Sequence, residues 1–382
     1  MKEGAHPSIV SVTPAAVGSD SRTYKIAASF TRAGYRSIVV EGQASTLGHT
    51  PPFELVTVRA RGVPSGASGR FSKVIQVLRR DLVDVARASP TADLYYLHSH
   101  QPYPGVAWQR RRNRASLVYD AHDFYDELMR PGIGAAAKRY WQRHAIRAAA
   151  AFVTVSEGVA DLYEQAYGRR PTVIRNAHDA RIESDVAVGV RKRLGLGADA
   201  RLFVVVGNAK PHMAVEKVVA ALESLPDDVH VAFVGRGHAD RLEGHVRSSL
   251  TARVHPTGAV EPTEVVPFIA SADAAFVPYV ATEPNTRYSL QNGFFQSIAA
   301  GLPLVVPEDL PELRDVAGAA GIAVDFAHTG SIVRGARELL ADNAGPATAR
   351  AAVTRLRGEL TWEHEQTKLL ELVATALESN RR

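Results

Sequence analysis

The sequence predicts an α/β protein of two Rossmann-like, doubly wound parallel-sheet domains that follow one another along the chain. Its 382 residues exceed the size of one ordinary hydrophobic core and suit two domains. Short apolar segments rich in β-branched residues alternate with longer amphipathic segments, which is the pattern of βαβ units. A second series of the same kind begins after residues 176–200, so we place the joint between the domains there.

In the first domain, residues 1–180, strands are predicted at 8–12, 37–40, 53–58, 93–98, 116–120 and 152–155. A helix is predicted over 71–88, because apolar residues recur there at helical spacing. In the second domain, residues 181–361, strands are predicted at 202–207, 229–235, 274–278, 304–306 and 322–324. A short helix is expected at 190–194, and a long amphipathic helix at about 362–377 within a final segment, 362–382.

The composition excludes several classes of protein. The chain has no cysteine, so disulfides, thiol catalysis and thiolate metal sites are ruled out. It lacks both an apolar run of about 20 residues and the apolar core of a signal peptide, so we expect a cytoplasmic protein without an integral membrane segment. The alanine- and arginine-rich composition favours a bacterial source.

The net charge of +5 is spread along the chain, with local groups of basic residues at 110–114 and 191–193. We interpret these groups as solvated helix faces, because no basic stripe interleaved with stacking aromatics, as nucleic-acid binding needs, is visible. The mild basic excess also suits an enzyme that handles diphosphates, or peripheral contact with an anionic membrane.

The candidate functional residues are those that directly follow the strands. Open parallel sheets bind their ligands beyond the carboxyl ends of the strands. If the two sheets face each other, the active site is expected in the cleft between the domains.

A polar segment at 285–291 leads into a predicted helix that stops at Gly301, and Pro303 precedes the next strand. The N-terminus of a helix presents unpaired backbone N–H groups and the positive end of a dipole. We therefore expect an anion site near Asn292.

The loop after the strand at 202–207 offers a second anion site. Lys210 and His212 are its nearby cations, and Lys210 is a compact point charge suited to phosphate, the alternative being an ordinary solvated lysine. Gly235 and Gly237 follow the next strand as a G-x-G sequence, which by itself indicates only a tight βα turn.

In the first domain, an apolar strand delivers Asp120, His122 and Asp123 to its carboxyl end. A histidine or a carboxylate in such a place is able to assist the deprotonation of an acceptor hydroxyl. A lone histidine at a strand end is often structural, but two flanking carboxylates favour a functional role for His122.

Two further loops of the first domain follow strands. Ser19 or Asp20 is predicted to cap the helix that comes next. His98 and His100 alternate along an extended segment and are expected to point to opposite faces, which argues against a two-histidine metal site and favours a role in the acceptor wall.

Taken in order, these segments resemble retaining glycosyltransferase family 4, which has the GT-B fold. Residues 296–306 resemble the sugar-nucleotide signature, a glutamate one turn before A-x-G-x-P-V-V, and residues 120–123 resemble the D-A-H-E motif of one branch. Residues 156–159 and 174–177 resemble the elements before the inter-domain linker, and residues 361–363 the start of a closing helix that crosses back to the first domain. The resemblance covers nearly the whole chain.

The resemblance implies that the second domain binds a nucleoside diphosphate sugar as co-substrate, with no metal and no other cofactor. Gln296 stands where the family has its ribose-binding glutamate, and Tyr288 where it has a second glutamate. Asn208 and Met213 stand at the two basic positions that contact the diphosphate. The implied donor-binding residues are Arg22, Asn208, Lys210, His212, Gly235, Gly237, Val260, Tyr288, Ser289, Leu290, Asn292 and Gln296.

The resemblance also implies the reaction. His122, Asp120 and Asp123 are the catalytic candidates for transfer with retained anomeric configuration. The departing phosphate takes the proton of the acceptor hydroxyl, and His122 orients the sugar. The expected partners are a nucleotide sugar and a small-molecule or glycan-precursor acceptor, with no nucleic acid.

Two alternatives remain open. Loss of both family glutamates and both basic positions is also what a degenerate relative would show, acting as a non-catalytic partner or using an unusual donor. An epimerase on the same two-domain fold is a third class, but the sequence lacks the arrangement of glutamate and histidine that we expect of one.

Overall fold

The computed structural model describes residues 6–58, 83–125, 133–183, 188–341 and 344–379. The chain divides into two compact units, one of Met1–Ile174 with Glu365–Arg382 and one of Arg175–His364. Most of the helix predicted over 71–88 lies outside the described residues.

The first unit is built on one parallel sheet. Its strands stand in the order β3-β2-β1-β4-β5-β6-β7. The elements are β1 (Ser8–Thr13), α1 (Ser21–Arg32), β2 (Arg36–Glu41), β3 (Glu54–Thr57), α2 (Val85–Ala88), β4 (Leu94–Leu97), α3 (Tyr103–Asn113), β5 (Ser116–Ala121), α4 (Ile133–Ala148), β6 (Ala151–Thr154), α5 (Glu157–Tyr167) and β7 (Thr172–Val173). The order reverses between β1 and β4, the switch point at which open α/β sheets bind their ligands.

The second unit repeats this strand order. Its parallel sheet runs β10-β9-β8-β11-β12-β13, with the reversal between β8 and β11. The elements are α6 (Val190–Arg193), β8 (Arg201–Val206), α7 (Val215–Ala221), β9 (Val229–Val234), α8 (His238–Leu242), β10 (Val254–Gly258), α9 (Val265–Ile269), β11 (Ala274–Phe276), α10 (Pro284–Tyr288), α11 (Asn292–Ala299), β12 (Leu304–Pro307), α12 (Pro311–Ala317), β13 (Gly321–Val324), α13 (Thr329–Leu340) and α14 (Ala344–Glu359).

The last helix, α15 (Trp362–Ser379), begins in the second unit and continues in the first. At its start, the backbone N–H of Trp362 donates to the carbonyl of His178. Further along, the hydroxyl of Ser116, at the start of β5, donates to the carbonyl of Ala376. Among the described residues, none of the helices combines the length and the hydrophobicity that a bilayer crossing needs.

The prediction of two doubly wound parallel sheets is confirmed. The central strands β1, β4 and β5 are buried almost throughout, and such strands read as apolar runs in the sequence. Two short edge strands were not predicted, since β7 has only two residues and β10 contains Pro256, which an edge strand tolerates. The polar segment predicted as a loop contains the short helix α10, which begins with Pro284.

Candidate functional site

A buried ion pair joins the start of α1 to the end of β5. Asp20 caps α1 by accepting from the N–H and the hydroxyl of Thr23, at 3.1 and 2.6 Å. The cap places Arg22 in the first turn, where its Nε and Nη2 lie 2.9 and 3.0 Å from the two carboxylate oxygens of Asp120. The remaining Nη1 donates to the carbonyl of Ile174 at 2.7 Å.

These contacts correct the expectation that Arg22 is a donor-binding residue. The Arg22 side chain is buried, and each of its three guanidinium nitrogens already has an acceptor. The physical reason is that the Asp120 carboxylate, with no exposed surface, needs a counterion inside the protein. We therefore assign Arg22 as the counterion of Asp120.

Asp120 is held as a permanent anion. Burial opposes its ionisation, but the Arg22 guanidinium and the neighbouring imidazole of His122 outweigh burial and lower the pKa of Asp120 to about 2. The hydroxyl of Tyr96 also donates to Oδ2 of Asp120 at 3.1 Å. A carboxylate of such low pKa is a poor base, so the geometry suits Asp120 to positioning rather than to proton transfer.

His122 lies beside a second histidine. Its Nε2 is 3.2 Å from Nδ1 of His98 and 3.7 Å from Oδ2 of Asp120. Burial first, and then the neighbouring imidazole, lower the pKa of His98 to about 3, so His98 is neutral. We assign the tautomer of His122 that carries its proton on Nε2, because Nε2 is the nitrogen that faces both the Asp120 carboxylate and Nδ1 of His98. In this tautomer Nε2 donates to His98 and Nδ1 is an acceptor.

Nδ1 of His122 has no hydrogen-bond partner within the described ranges, and 20% of the side chain is exposed. It is therefore available as an acceptor for a hydroxyl group. Asp20 lies near the same two histidines. Burial raises its pKa, but the neighbouring imidazoles and the hydrogen bonds from Thr23 outweigh burial and lower the pKa of Asp20. Asp123 is half-buried, and its main-chain carbonyl accepts from the hydroxyl of Tyr163 at 2.8 Å.

His98, Asp120 and His122 bring three potential metal-ligand atoms within 4.8 Å of one another. The Asp120 carboxylate, however, already accepts from Arg22 and Tyr96, and the Arg22 charge repels a cation. These contacts do not fit a metal ion, and the absence of a metal from the reaction stays a prediction.

His98 and His100 have different surroundings, and neither fits the acceptor wall predicted for this loop. Both rings are buried. The His100 ring packs edge-on against Tyr125 with 5.0 Å between ring centres, and burial is the main cause that lowers the pKa of His100 to about 4. A buried, neutral ring contributes packing rather than an open surface for an acceptor.

In the second unit, the loops after β8 and β9 are in direct contact. A Cβ on Gly235 would lie 2.2 Å from the carbonyl oxygen of Gly207, and the φ of Gly235 is +147°, so only glycine fits. The side-chain oxygen of Asn208 accepts from the N–H of Arg236 at 2.9 Å. Gly237, with a φ of +80°, is the residue before α8. Asn208 thus joins the two loops.

The start of α11 packs against the same strand end. A Cβ on Gly293 would lie 2.4 Å from the carbonyl oxygen of Val206. Asn292, the first residue of the helix, accepts on its side-chain oxygen from the amide of Asn176 at 2.6 Å. The structure therefore brings the predicted loops at 207–210 and 235–237 together with the predicted helix N-terminus.

Lys210 lines an open cavity of about 410 Å³ at this place. The lining residues are Ala209, Lys210, Pro211, Gly237, Asp240 and Arg241. Lys210 is exposed, and no ion pair links it to a carboxylate anywhere in the described part of the chain. Its positive charge is therefore available to an anion in the cavity.

Arg241 also lines the cavity, although no sequence pattern predicted it. Its guanidinium pairs with Glu216 and donates to the carbonyls of Lys210 and Met213, which fixes the turn that carries Lys210. Arg241 lies three residues after the predicted G-x-G-H segment, and no pattern in the sequence links it to that turn.

His212 is not a permanent cation. Its ring lies 5.5 Å from that of Tyr279, and burial followed by repulsion from Lys210 lowers its pKa. A lowered pKa makes the His212 ring a weaker source of positive charge than Lys210, and the contact of His212 with the diphosphate stays a prediction.

The remaining predicted donor-binding residues differ in burial and in their hydrogen bonds. Tyr288 ends α10, and the hydroxyl of Ser289 accepts from the amide of Gln291 at 2.5 Å. Leu290 is buried and Val260 half-buried in the core of the second unit, so their side chains contribute packing. Gln296 lies half-buried on α11, and its side-chain amide bonds to none of the described residues.

Comparison with known proteins gives a family match in the first half of the chain. The family model described as Glycosyltransferase Family 4 matches residues 18–181. TuaC of Bacillus subtilis (strain 168), a glycosyltransferase named for teichuronic acid biosynthesis, is 29% identical over 177 residues. This alignment covers 46% of the chain and 38% of the length of TuaC.

Solved structures match over nearly the whole chain. Sucrose-phosphate synthase from Thermosynechococcus elongatus has a TM-score of 0.75 at 16% identity and covers 98% of this chain and 100% of its own. Anabaena Alr3699/HepE, solved in complex with UDP and glucose, has a TM-score of 0.74 at 16% identity and covers 97% and 100%. The comparisons confirm the resemblance to glycosyltransferase family 4 over residues 18–181 and the two-domain fold class of the GT-B glycosyltransferases.

Proposed function

We propose that the chain is a retaining glycosyltransferase, which moves a sugar from a nucleoside diphosphate sugar to a hydroxyl of a small-molecule or glycan-precursor acceptor. The observation that carries the proposal is the meeting of three elements at the end of β8. These are the loop with the unpaired Lys210, the turn at 235–237 and the start of α11. Together they offer positive charge and backbone N–H groups to a diphosphate.

The second unit binds the donor in this proposal. Lys210 and the N-terminus of α11 stabilise the negative charge that grows on the diphosphate as it leaves, an electrostatic strategy that needs no metal. Gln296, one turn into the same helix, donates and accepts hydrogen bonds with the ribose hydroxyls. HepE, a protein of the same fold, binds UDP and glucose, which supports this type of ligand.

The first unit contributes His122. In the transfer, the bond from the anomeric carbon to the diphosphate oxygen breaks, and a bond from that carbon to the acceptor oxygen forms on the same face. The acceptor proton ends on the departing diphosphate. Nδ1 of His122, the unprotonated nitrogen, accepts a hydrogen bond from a sugar hydroxyl and so fixes the orientation of the sugar.

Calorimetric titration of the full chain with UDP-, GDP- and dTDP-sugars tests the proposal, combined with an assay of donor hydrolysis and transfer. We expect one nucleotide to bind and its sugar to be released or transferred. Failure of all three donors to bind would overturn the proposed function. Binding without hydrolysis or transfer would instead favour the degenerate, non-catalytic relative.

A further inference from the structure

Two helices of the first unit, α3 and α4, pack against each other and are rich in basic residues. Neither helix contains an acidic residue. Their basic residues are Arg110, Arg111, Arg112, Lys138, Arg139, Arg143 and Arg147. The two helices begin 30 residues apart in the sequence, at Tyr103 and Ile133, so their basic residues form a single charged surface only in the folded protein.

The two most exposed large hydrophobic side chains among the described residues lie on these helices. Trp108 on α3 is 52% exposed and Tyr140 on α4 is 60% exposed. Trp108 shares a face with Arg111 and Arg112, because residues three and four apart are neighbours on a helix. By the same spacing Tyr140 shares a face with Arg143 and, one turn further on, Arg147. We call these residues together the basic aromatic face.

The arginines of this face have no carboxylate partner among the described residues, whereas several exposed arginines elsewhere have one. Arg170 pairs with three carboxylates, and Arg36 and Arg201 each bind one in a two-point contact. By contrast, no carboxylate of the described residues pairs with Arg111, Arg112, Arg143 or Arg147. The Arg112 guanidinium lies over the Trp108 ring, 5.5 Å from its centre, and the Arg143 guanidinium over the Tyr167 ring at 6.0 Å. The face therefore combines exposed positive charge with exposed aromatic rings.

We propose that the basic aromatic face docks the protein on the surface of an anionic lipid bilayer. Anionic headgroups attract arginines near the membrane surface, and tryptophan and tyrosine rings settle at the level of the headgroups. Single-stranded nucleic acid is instead held in a groove that tracks the backbone.

Co-sedimentation of the full chain with lipid vesicles tests the proposal without reference to transferase activity. We expect binding to vesicles of phosphatidylcholine mixed with phosphatidylglycerol, weak binding to phosphatidylcholine alone, and release by salt. The variant R111Q/R112Q/R143Q/R147Q should lower the partition coefficient at least tenfold, since each arginine near the surface contributes about fivefold. The variant W108A/Y140A should also lower it, with the charge unchanged.

The matched control is K192Q/K217Q/R334Q/R350Q, which removes four exposed cations of the second unit. It should retain vesicle binding, and circular dichroism of all three variants should match that of the parent chain. If R111Q/R112Q/R143Q/R147Q and the control K192Q/K217Q/R334Q/R350Q lose vesicle binding equally, net charge alone drives binding and the proposal is overturned. So would binding to single-stranded RNA in preference to the anionic vesicles, or equal binding to both kinds of vesicle.

Discussion

Nδ1 of His98 lies 3.2 Å from Nε2 of His122, and this contact sets which nitrogen of His122 is available to a ligand. His98 is buried and neutral, so it offers no charge of its own. Its contribution is to hold the His122 ring beside Asp120 in one tautomer. In metal sites and triads alike, such a partner determines the chemistry of the histidine that it orients.

Replacement of His122 by alanine should lower the rate of sugar transfer by about 100-fold, because a misplaced reacting group costs roughly this much. Donor affinity, measured by calorimetry, should change little, since Lys210 and α11 supply the charge that binds the diphosphate. An equal loss of binding and transfer would show that His122 is structural.

His98 should act as a positioning residue, and its variants separate that role from simple packing. His98→Leu keeps the ring volume approximately but removes the acceptor for His122, so kcat should fall while KM for the donor stays near its original value. His98→Asn restores an acceptor and should recover part of kcat. If both variants lower thermal stability and kcat by the same amount, the contact with His122 has no special role.

Arg22→Ala should destabilise the first unit by about 3–5 kcal/mol, because it leaves the buried Asp120 carboxylate without its counterion. Thermal unfolding of the full chain measures this loss. Arg36→Ala is the matched control, since Arg36 also makes a two-point contact, with Glu54, but on the surface, and it should change stability little. Similar losses in the two variants would contradict the assignment of Arg22.

The same pair predicts how stability depends on pH. The folded-state pKa of Asp120 lies at about 2, below the ordinary value of 3.8. A lowered pKa contributes stability that is complete above the ordinary value and is lost as the pH falls from about 4 towards 2. Replacing Asp120 by asparagine together with Arg22→Met should remove this component, so the acid-unfolding profile of the double variant should be flatter in that range.

The sequence was sufficient to predict the two sheets, since buried parallel strands such as β4 and β8 are apolar along their length. It also placed Asp120 and His122 at the carboxyl end of such a strand, where the structure has Asp120 within β5 and His122 directly after it. The hydrogen-bond partners of these two residues could not be predicted from the sequence. Arg22 is 98 residues from Asp120, and His98 is 24 from His122, so only strand order and ring direction bring them together.

The family resemblance misled where it assigned charge. It implied that Arg22 binds the donor, but Arg22 is buried beside Asp120 and all three of its guanidinium nitrogens already have acceptors. Burial and desolvation depend on tertiary packing, which no local motif encodes. Lys210 stays the predicted phosphate ligand, because it is exposed and no carboxylate among the described residues pairs with it.

Lys210→Gln should weaken binding of the nucleoside diphosphate by about tenfold, because it removes a charge-assisted contact to phosphate. The dependence of affinity on salt should become weaker in the same variant. Lys217→Gln removes an exposed lysine of α7, outside the cavity, and is the control. Equal affinity of the two variants for the donor would exclude Lys210 as a phosphate ligand.

Gln296→Ala should lower donor affinity without changing thermal stability, because the amide makes no bond to the described residues that its loss would break. Calorimetry with the sugar nucleotide and with the free diphosphate separates a ribose contact from a phosphate contact. The variant should lose affinity for the nucleotide and keep it for the diphosphate. Unchanged nucleotide affinity would show that the ribose site lies elsewhere on α11.

Gly235→Ala should disturb the donor site through the backbone rather than through a lost side chain. The added Cβ would lie 2.2 Å from the carbonyl oxygen of Gly207, and the φ of +147° is unfavourable for alanine. We expect a loss of about 1–3 kcal/mol in stability, together with weaker nucleotide binding, because the loop that carries Lys210 must move away.

Gly197→Ala is the control for this variant, since a Cβ there meets no atom within 4 Å and the backbone needs no positive φ. Removing a glycine should by itself leave stability equal or slightly higher, as the unfolded chain loses freedom. Gly235 differs from Gly197 because the loop after β8 lies directly against it. If Gly235→Ala matches Gly197→Ala in both melting temperature and nucleotide affinity, the contact between the loops after β8 and β9 does not shape the donor site.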